Sequence, residues 1–495
     1  MSGSRSSEPG LVLGIDIGTT TSKAAVFALS DTAIPLSVYR EPSRTFAPRP
    51  GWSEADPDEV VATALRCARA AVTDVAADRV VAIGLTGTAC GAWLIDDALR
   101  PVRPAILWND GRAADIVDRW SQDGRMDEVF RLSGNICFPG YTLPVLAWLA
   151  EHEPGTLERS HRLLWCKDYV RLALTGEITA EQTDASYAPF NITKLDWDDR
   201  LFDLAGVSEH ARLFPPVRDP STTHPLNAHA AETLGLYAGI PVGLGVVDIV
   251  SGVTGAGALL PGDAVTLLGT SANSTLVTEQ PEFTPPSVGI MAASPTGTYL
   301  RTMLNTSGST TLDWAAEMLT AGSVVRLLEA AARAGDDRPI LVPYLAGAGV
   351  VSPFVDARAR GGWVGLRSSH GVPELARAAV NGLAFAIADN YASMPSAVRQ
   401  ISAVGGAAQS DLLLQTIADT AGVRVIRPRG EEFGARGAAL LAAWASGLLE
   451  DDELAAEAAA LRPDAVFEPD ATAPDHEFAR YRALRDALRG SGDLW

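Results

Sequence analysis

A carboxylate, a glycine and a run of hydroxyls follow one another near the start of the chain, in "LGIDIGTTTSKAAVF" (residues 13–27). Backbone N–H groups and hydroxyls at such a turn can donate to phosphate oxygens. Asp16 comes directly before the turn, where its carboxylate could hold Mg2+ directly or through its water shell, or could bond its own turn. The stretch indicates a phosphate site with a place for a metal ion.

Two later stretches have a related design. "LLGTSANS" (267–274) again runs from an apolar segment through a glycine into hydroxyls and a returning segment, which suggests internal duplication and two similarly built domains. "VGGAAQSDLLLQTIADTAG" (404–422) is typical of a strand, a double-glycine turn and an amphipathic helix, an arrangement suited to a nucleotide. The chain contains no Gly-Lys dipeptide, so a P-loop is excluded.

Asp248 is an isolated carboxylate in the apolar stretch "VGLGVVDIVSG" (242–252), where a strand is expected to end and a helix to begin. Such a residue acts either as a helix N-cap or as a general base, and the local sequence leaves both open. The patterns "GLGVVD" and "GAGVVS" lack the third glycine of a dinucleotide motif, so a dinucleotide-dependent dehydrogenase is an alternative supported by imperfect glycine patterns alone.

The periodicity of the chain predicts the elements that must position these residues. Strands are expected over 11–16 and 22–29, joined as a hairpin, and over 79–87 and 91–96; helices are expected over 56–75, in most of 110–176, over 373–394 and around 475–488. A second hairpin is expected around 267–274, and a proline-rich surface connection over 213–229. The alternation of strands and helices predicts an α/β protein with a domain boundary near Val253.

Length and composition limit the possible functions. The 495 residues suggest two large domains with a cleft between them as the natural place for a site. A net charge of −20 without a dense basic run argues against nucleic acid and anionic membrane as partners. The start "MSGSRSSEPG" has no apolar h-region and no run of 18 apolar residues occurs, so a cytoplasmic protein is expected. The four cysteines are scattered without a CxxC pair, which favours reduced thiols over a disulfide framework or a zinc site.

These stretches, in their order and spacing, resemble the FGGY carbohydrate kinases of the sugar kinase, heat-shock ATPase and actin superfamily. The resemblance extends to "GWSEADPDEV" (51–60), "ILWNDGRA" (106–113) and "PYLAGAGVVSPFVDARARGGWVGL" (343–366), and so runs through nearly the whole chain. It implies an α/β fold of two ribonuclease-H-like domains of the actin/hexokinase superfamily flanking a catalytic cleft. The N-terminal domain would span 10–253 and bind the sugar, and the C-terminal domain would span 254–495 and bind adenosine.

The resemblance also implies an activity and its residues. The γ-phosphoryl group of ATP would pass, with Mg2+, to a hydroxyl of a ketopentose or a linear polyol. Asp248 would accept the hydroxyl proton, and Asp16 would position the metal. The residues implied for ATP are Gly18, Thr19, Thr20, Gly269, Thr270, Gly308, Asp313, Gly405, Gly406 and Gln409, and those implied for the acceptor are Ala89, Cys90, Trp108, Asp110 and Asp248.

The chain departs from typical xylulose kinases on the acceptor side. Where these have Ser-Gly-Gln-Met-His-Gly, residues 86–91 here read Thr-Gly-Thr-Ala-Cys-Gly, and Ile249 replaces the usual asparagine after the catalytic aspartate. The Cys90 thiol cannot replace the hydrogen bonds of an imidazole, so the acceptor need not be D-xylulose. Val145 stands where the family's first signature expects a lysine, and Asn381 stands where its second expects an acidic residue or glutamine. Together with "GLGVVDIVSG" and "EHEP", these features look more like the L-xylulose and erythritol kinase branch.

For Trp108, packing in a core is the alternative to substrate contact, and for Asp110 with Arg112 it is a structural ion pair. For the whole chain, the alternative to a kinase is a nucleotide-binding sugar sensor or ATPase of the same superfamily without kinase turnover. The resemblance further suggests a homodimer.

Overall fold

The computed structural model describes residues 9–347, 349–470 and 476–490. The N-terminal segment "MSGSRSSEPG" falls largely in residues 1–8, outside the described ranges. Contacts divide the described chain into two units. The first comprises the residues up to Leu259, with Met291–Tyr299 and Gly430–Leu461, and the second comprises Leu260–Ile290, Leu300–Arg429 and the residues from Arg462 onward.

The strands are β1 (Leu11–Ile17), β2 (Thr21–Ala28), β3 (Ser37–Pro42), β4 (Glu54–Ala55), β5 (Val80–Gly87), β6 (Trp93–Ile95), β7 (Ala105–Ile106), β8 (Arg162–Leu164), β9 (Ala180–Glu181), β10 (Phe190–Asn191), β11 (Asp196–Trp197), β12 (Val217–Arg218), β13 (Thr223–Pro225), β14 (Pro241–Gly243), β15 (Val246–Val247), β16 (Asp263–Leu268), β17 (Ala272–Thr278), β18 (Ile290–Ala293), β19 (Tyr299–Asn305), β20 (Ile340–Val342), β21 (Gly362–Val364), β22 (Gln400–Val404), β23 (Arg424–Pro428) and β24 (Pro463–Phe467).

The α-helices are α1 (Pro57–Thr73), α2 (Ala114–Gln122), α3 (Arg125–Ser133), α4 (Thr142–His152), α5 (Pro154–Arg159), α6 (Cys166–Thr175), α7 (Gln182–Ala185), α8 (Asp199–Ala205), α9 (Ala228–Leu234), α10 (Asp248–Gly255), α11 (Ser309–Leu319), α12 (Val324–Ala331), α13 (Val372–Ala392), α14 (Asp411–Ala421), α15 (Phe433–Ala445), α16 (Asp451–Ala459) and α17 (His476–Gly490). Short 3-10 helices cover Ala77–Arg79, Ser208–Leu213 and Gly406–Gln409.

The main sheet of the first unit has the strand order β13-β14-β5-β1-β2-β3, and β15 also pairs with β5. The predicted hairpin is confirmed, because β1 and β2 pair antiparallel, and β5 runs parallel to β1. Both β14 and β15 are parallel to β5. The carboxyl ends of β1, β5 and β15 therefore meet at one edge of this sheet, which is where side chains from different parts of the chain can gather.

Helices cover both faces of this sheet. On one face α1 begins at the N-cap Asp56, whose side chain accepts the N–H groups of Asp58 and Glu59, and buries an alanine-rich stripe in the main core. On the other face α15 packs small residues against the strands, namely Ala435, Ala439, Ala442 and Ala443. This packing explains why Gly430–Leu461 belongs to the first unit although the sequence assigned it to the C-terminal domain.

The second unit has a sheet in which β19-β17-β16-β22-β23-β24 are consecutive neighbours. β16 and β17 form the second predicted hairpin, and β22 runs parallel to β16, as β5 does to β1. The helix predicted over 373–394 is α13, which is buried along most of its length. The connection predicted over 213–229 is more ordered than expected, because β12, β13 and the start of α9 lie within it. Over the described ranges, no helix is long and apolar enough to cross a membrane.

Candidate active site

Asp16 lies near the end of β1, opposite Lys23 on β2 and beside Thr86 on β5. Burial raises the pKa of its carboxyl to about 6; the charge of Lys23 acts in the opposite direction, and that of Glu432 adds to the rise. Within the described residues no hydrogen bond engages this carboxylate. Its oxygens therefore remain available to a ligand, and the arrangement is not that of an aspartate bonding its own turn.

The start of α15 closes around Asp16. A Cβ at Gly434 would lie 2.5 Å from Asp16 Oδ2, so only a glycine leaves the carboxylate its room. Glu432, just before the helix, has the left-handed φ of 56° and lies 3.3 Å from Lys23 Nζ and 2.6 Å from an Arg40 nitrogen. The helix start thus supplies both a close backbone approach and a paired charge cluster beside the predicted metal ligand.

Asp248 is the first residue of α10, directly after β15, and the N-cap position is occupied by Val247. Asp248 Oδ1 accepts the N–H of the next residue, Ile249, at 2.7 Å. Burial raises the pKa of Asp248 to about 7; the charge of Asp16 adds to the rise, and the Ile249 N–H acts against it. A carboxylate with this pKa is suited to accept a proton near neutral pH.

The helix that begins at Asp248, α10, packs directly on α15, the helix whose start lies beside Asp16. A Cβ at Gly437 of α15 would lie 1.9 Å from the carbonyl oxygen of Ser251 on α10, so the backbones meet without intervening side chains. Ser251 Oγ donates to the Gly434 carbonyl at 2.6 Å. Arg436, fully buried, donates to the Gly255 carbonyl at the end of α10 at 2.7 Å. These contacts fix the Asp248 helix against the segment beside Asp16.

The turn after Asp16 is anchored by two neighbours. Ser43 Oγ donates to the Gly18 carbonyl at 2.6 Å, and Ser43 N–H donates to the Thr20 carbonyl at 3.0 Å. Trp108, 45% exposed, donates its indole N–H to Thr19 Oγ1 at 2.9 Å. One residue implied for phosphate and one implied for the acceptor are thus in direct contact.

Asp110 is buried in an ion-pair network of the first unit. Its carboxylate accepts the N–H of Ser53 at 2.6 Å and three N–H groups of Arg112 at 2.8–2.9 Å. Arg112 also donates to Glu54 at 2.6 Å and lies 3.9 Å above the Trp52 ring. The chain's own donors therefore engage both carboxylate oxygens, as in a structural ion pair, and substrate contact by Asp110 stays a prediction.

Ala89 and Cys90 follow β5, and Cys90 is buried with the left-handed φ of 67°. Burial raises the pKa of its thiol well above the usual value, and the charges of Asp184 and Asp248 raise it further. Burial also raises the pKa of the Tyr187 hydroxyl well above its usual value, and the charges of Cys90, Asp248 and Asp184 raise it further. Cys90 and Tyr187 are therefore neutral groups within electrostatic reach of Asp248.

In the second unit, the residues implied for ATP gather at the end of β16. The N–H of Gly308 donates to the Thr270 carbonyl at 3.1 Å, and the N–H of Ser309 donates to the Gly269 carbonyl at 2.8 Å. A Cβ at Gly308 would lie 2.3 Å from the carbonyl carbon of Ser271, so the loop before α11 approaches this turn backbone to backbone. A glycine turn and a helix start thus lie side by side.

Gly405, which follows β22, also reaches this turn: it has φ of 102°, and a Cβ there would lie 2.6 Å from the Leu268 carbonyl oxygen. Gly406 and Gln409 are the ends of the 3-10 helix that comes next, and both are exposed. Asp313 is exposed on α11.

Sequence reasoning missed several residues of the first unit that hold the two aspartates. The two glycines of "FGARG" (433–437), at the start of α15, were a usable signal, because a residue without a side chain lets another group approach the backbone closely. The buried Lys167 and Thr183 were also missed. Lys167 comes directly before "DYVRLALTGE" (168–177), within the region predicted as mostly helical. It was a usable signal, because a cation in a buried helix must be paired.

Comparison with known proteins agrees with this geometry. Residues 11–255 match the FGGY family of carbohydrate kinases, N-terminal domain, and residues 264–446 match its C-terminal domain. With the two sheet-based units, these matches define a sugar phosphotransferase with the two-domain actin/hexokinase-like fold. The chain belongs to the FGGY family of carbohydrate kinases, and the resemblance drawn from the sequence motifs is confirmed.

Individual relatives cover almost the whole chain. Xylulose kinase of Escherichia coli (strain K12) is 32% identical over 87% of this chain and 89% of its own length. Erythritol kinase of Brucella abortus (strain 2308) is 32% identical over 98% of this chain and 97% of its own length. The crystal structure of xylulose kinase from Rhodospirillum rubrum superposes with a TM-score of 0.89 at 25% identity, covering 97% of this chain and 99% of that chain.

Proposed function

We propose that the protein is an ATP-dependent, Mg2+-requiring kinase of a neutral ketopentose, such as a xylulose or ribulose, or of a linear polyol. The observation that carries the proposal is Asp248, a carboxylate at a helix start with a pKa of about 7, which contacts through α10 and α15 connect to a second carboxylate, Asp16. The names of the relatives, xylulose kinase and erythritol kinase, support this acceptor class.

In the proposed reaction Asp248 accepts the proton of the acceptor hydroxyl. The hydroxyl oxygen forms a bond to the γ-phosphorus of ATP, the bond from that phosphorus to the β,γ-bridging oxygen breaks, and ADP leaves with the electron pair. Phosphoryl transfer asks the protein mainly for alignment and charge stabilisation, so one base at hydrogen-bond distance suffices.

The donor set of Asp16 fits Mg2+. This ion is usually held by one or two carboxylates together with phosphate oxygens and water, and the Asp16 carboxylate has no hydrogen-bond partner among the described residues. When bound, Mg2+ would neutralise charge on the transferring phosphates. Asp16 would hold it, and the neighbouring Lys23, 3.3 Å from Glu432, keeps the local negative charge partly compensated.

The phosphates and adenosine of ATP are assigned to the glycine turns. In the first unit the turn formed by Gly18, Thr19 and Thr20 offers N–H groups and hydroxyls. In the second unit the corresponding donors are assigned to the turn at 269–270, the loop at Gly308 with Asp313 beyond it, and the segment from Gly405 and Gly406 to Gln409. The close backbone contacts of the second-unit turn support this assignment.

The charges of the first unit favour a neutral acceptor over a sugar acid. Lys23, Arg112 and Lys167 are each already paired with carboxylates of this chain. A carboxylate on the acceptor would therefore meet the negative charges of Asp16 and Asp248 without an uncommitted partner among these three cations. Neutral Cys90 and Tyr187 near Asp248 likewise suit a ligand without charge.

The family resemblance further supports a cytoplasmic enzyme that works as a homodimer. Sedimentation equilibrium of the purified protein would test the assembly: a mass near twice 52.0 kDa agrees with the proposal, and a mass near 52.0 kDa rejects it.

An acceptor screen tests the proposed function. Purified protein with ATP and Mg2+ is incubated with ketopentoses, pentitols, tetritols, glycerol and gluconate, and both ADP release and the phosphorylated product are measured. We expect at least tenfold stimulation by one neutral acceptor and none by gluconate. Binding of ATP without stimulation by any acceptor would favour a nucleotide-binding sensor, binding of NAD instead of ATP would favour a dehydrogenase, and gluconate as the best acceptor would reject the neutral class.

A further inference from the structure

The segment that leads into Asp248 is held from several sides. Val246 and Val247 pair with β5 on one side. Behind them, Arg171 Nη1 donates to the Leu244 carbonyl at 2.7 Å, and the Val247 N–H donates to Thr183 Oγ1 at 2.8 Å. The Val247 contact is the one immediately before Asp248, so it sets the direction in which the chain enters α10.

The Thr183 hydroxyl both accepts and donates a hydrogen bond. While the oxygen accepts the Val247 N–H, the hydroxyl hydrogen is donated to Glu181 Oε1 at 2.7 Å. Glu181 also accepts the backbone N–H groups of Thr183 and Asp184 at 2.7 and 2.8 Å, as the N-cap of α7. Thr183 is fully buried, so water cannot replace either partner, and the hydroxyl has one orientation.

A buried cation fixes Glu181 in turn. Lys167 Nζ lies 2.6 Å from Asp168, 3.1 Å from Glu181 and 2.9 Å from Asp184, and all four side chains are at most 1% exposed. Breaking such a pair strands a charge in the interior, which is strongly unfavourable. The network therefore keeps Glu181, and through it Thr183, in a single arrangement.

We infer that Thr183, oriented by Glu181 and Lys167, is a positioning residue that fixes the backbone before Asp248 and so aims its carboxylate at the acceptor hydroxyl. The inference rests on the proposed base role of Asp248. None of these residues needs to contact substrate: the chain of contacts runs from the buried cation through a carboxylate and a hydroxyl to the peptide N–H that precedes the base.

The test compares Thr183→Val, which keeps the shape and removes the hydroxyl, with Thr183→Ser, which keeps the hydroxyl. Ser133→Ala is the matched control, because Ser133 Oγ is also buried and also accepts a backbone N–H, that of Asn135 at 3.1 Å. Steady-state kinetics with the best acceptor of the screen give kcat and the KM for ATP, and thermal unfolding of each variant reports the fold.

We expect Thr183→Val to lower kcat at least tenfold with the KM for ATP within twofold, Thr183→Ser to keep at least a third of the wild-type kcat, and Ser133→Ala at least half. A kcat of Thr183→Val within twofold of wild type, an equal loss in Thr183→Ser, or an equal loss in Ser133→Ala overturns the positioning role.

Should Thr183→Val not fold, amide exchange of the wild-type protein decides: the Val247 N–H must exchange far more slowly than surface amides, and exchange at their rate overturns the inference.

Asp248→Asn in the same assay distinguishes failure of the base role of Asp248 from failure of the positioning role of Thr183. Retained turnover in Asp248→Asn would reject the base role and the positioning role with it. An inactive Asp248→Asn beside a fully active Thr183→Val would reject the positioning role alone.

Discussion

The indole N–H of Trp108 donates to the hydroxyl of Thr19 at 2.9 Å, joining the loop after β7 to the turn after Asp16. Trp108 is 45% exposed, and this hydrogen bond fixes the position of its indole N–H. Trp108 is implied for the acceptor and Thr19 for phosphate. We therefore expect binding of one ligand to change the affinity for the other.

Removing either partner of this contact should weaken ATP use and alter acceptor binding. We expect Thr19→Val to raise the KM for ATP about fivefold or more, because it loses both a donor to phosphate and the acceptor of the indole N–H, while Thr19→Ser stays near wild type. A double-mutant cycle of Thr19→Val with Trp108→Phe should give a coupling energy of about 0.5–1.5 kcal/mol. Strictly additive effects would show that the contact does not link the two positions.

Loss of the proposed base should abolish turnover without abolishing nucleotide binding. We expect Asp248→Asn to lower kcat about 10²- to 10⁴-fold, the usual contribution of a general base, with the affinity for ATP by calorimetry nearly unchanged. Asp115→Asn, an exposed aspartate in the first turn of α2, is the control and should match wild type. Near-full turnover of Asp248→Asn would remove this residue from the base role.

The rate should fall on the acidic side of neutrality. A base must be ionised to accept a proton, and the pKa of Asp248 is raised to about 7, so kcat/KM for the acceptor should drop about tenfold per pH unit below that value. The measurement is a pH profile from about 5 to 9 at saturating Mg2+ and constant ionic strength. A profile that stays flat down to pH 5 would contradict an ionisable base with this pKa.

The same pKa rise predicts a stability effect of defined sign. The folded state holds the Asp248 proton to about pH 7, whereas the unfolded chain releases it near 3.8, so ionisation destabilises the fold progressively between these values. Asp248→Asn should therefore unfold at the same temperature as wild type near pH 4 and at a higher temperature at pH 8, by about 2–4 °C per kcal/mol relieved. A constant difference across this range would argue against the raised pKa.

Substitution of two glycines of the second unit should affect stability and nucleotide binding differently. A Cβ at Gly308 would collide with the backbone of Ser271, whereas a Cβ at Gly406 meets nothing within 4 Å. Gly308→Ala should lower the free energy of unfolding by about 2 kcal/mol or more, while Gly406→Ala should change it by less than about 0.5 kcal/mol. Chemical unfolding measures both. A lower ATP affinity in the stable Gly406→Ala would further support a nucleotide at this segment, and unchanged affinity would oppose it.

The repeated motifs made the general fold accessible from sequence. Glycine followed by hydroxyls, between two apolar segments, predicts a hairpin by turn chemistry alone, and both hairpins are confirmed. The N-cap and acidic first turn of α1 and the strand–turn–helix from β22 to α14 are likewise local signals. Features of this kind depend on neighbours in sequence, which is why they can be predicted without a structure.

The support of the site depends on contacts distant in sequence. Gly434 approaches Asp16, and Thr183 accepts the Val247 N–H, over separations that no local pattern records. The ion pair of Asp110 with Arg112 could be suggested from their spacing, but its extension to Glu54 could not. The short strands within 213–229 were missed because two or three residues are too few to show an alternating pattern, and their partners, β9 and β14, lie outside the segment.

The contact between α10 and α15 is made by peptide backbone at Gly437 and Ser251, and this has a consequence for how such a protein can diverge. Because no side chain takes part in that contact, substitutions elsewhere around the site leave it unchanged, and the two aspartates keep their separation. Positions such as 89, 90 and 249 can then vary independently of it. On the proposed function, acceptor preference can therefore change through such positions while Asp248 and Asp16 keep their places.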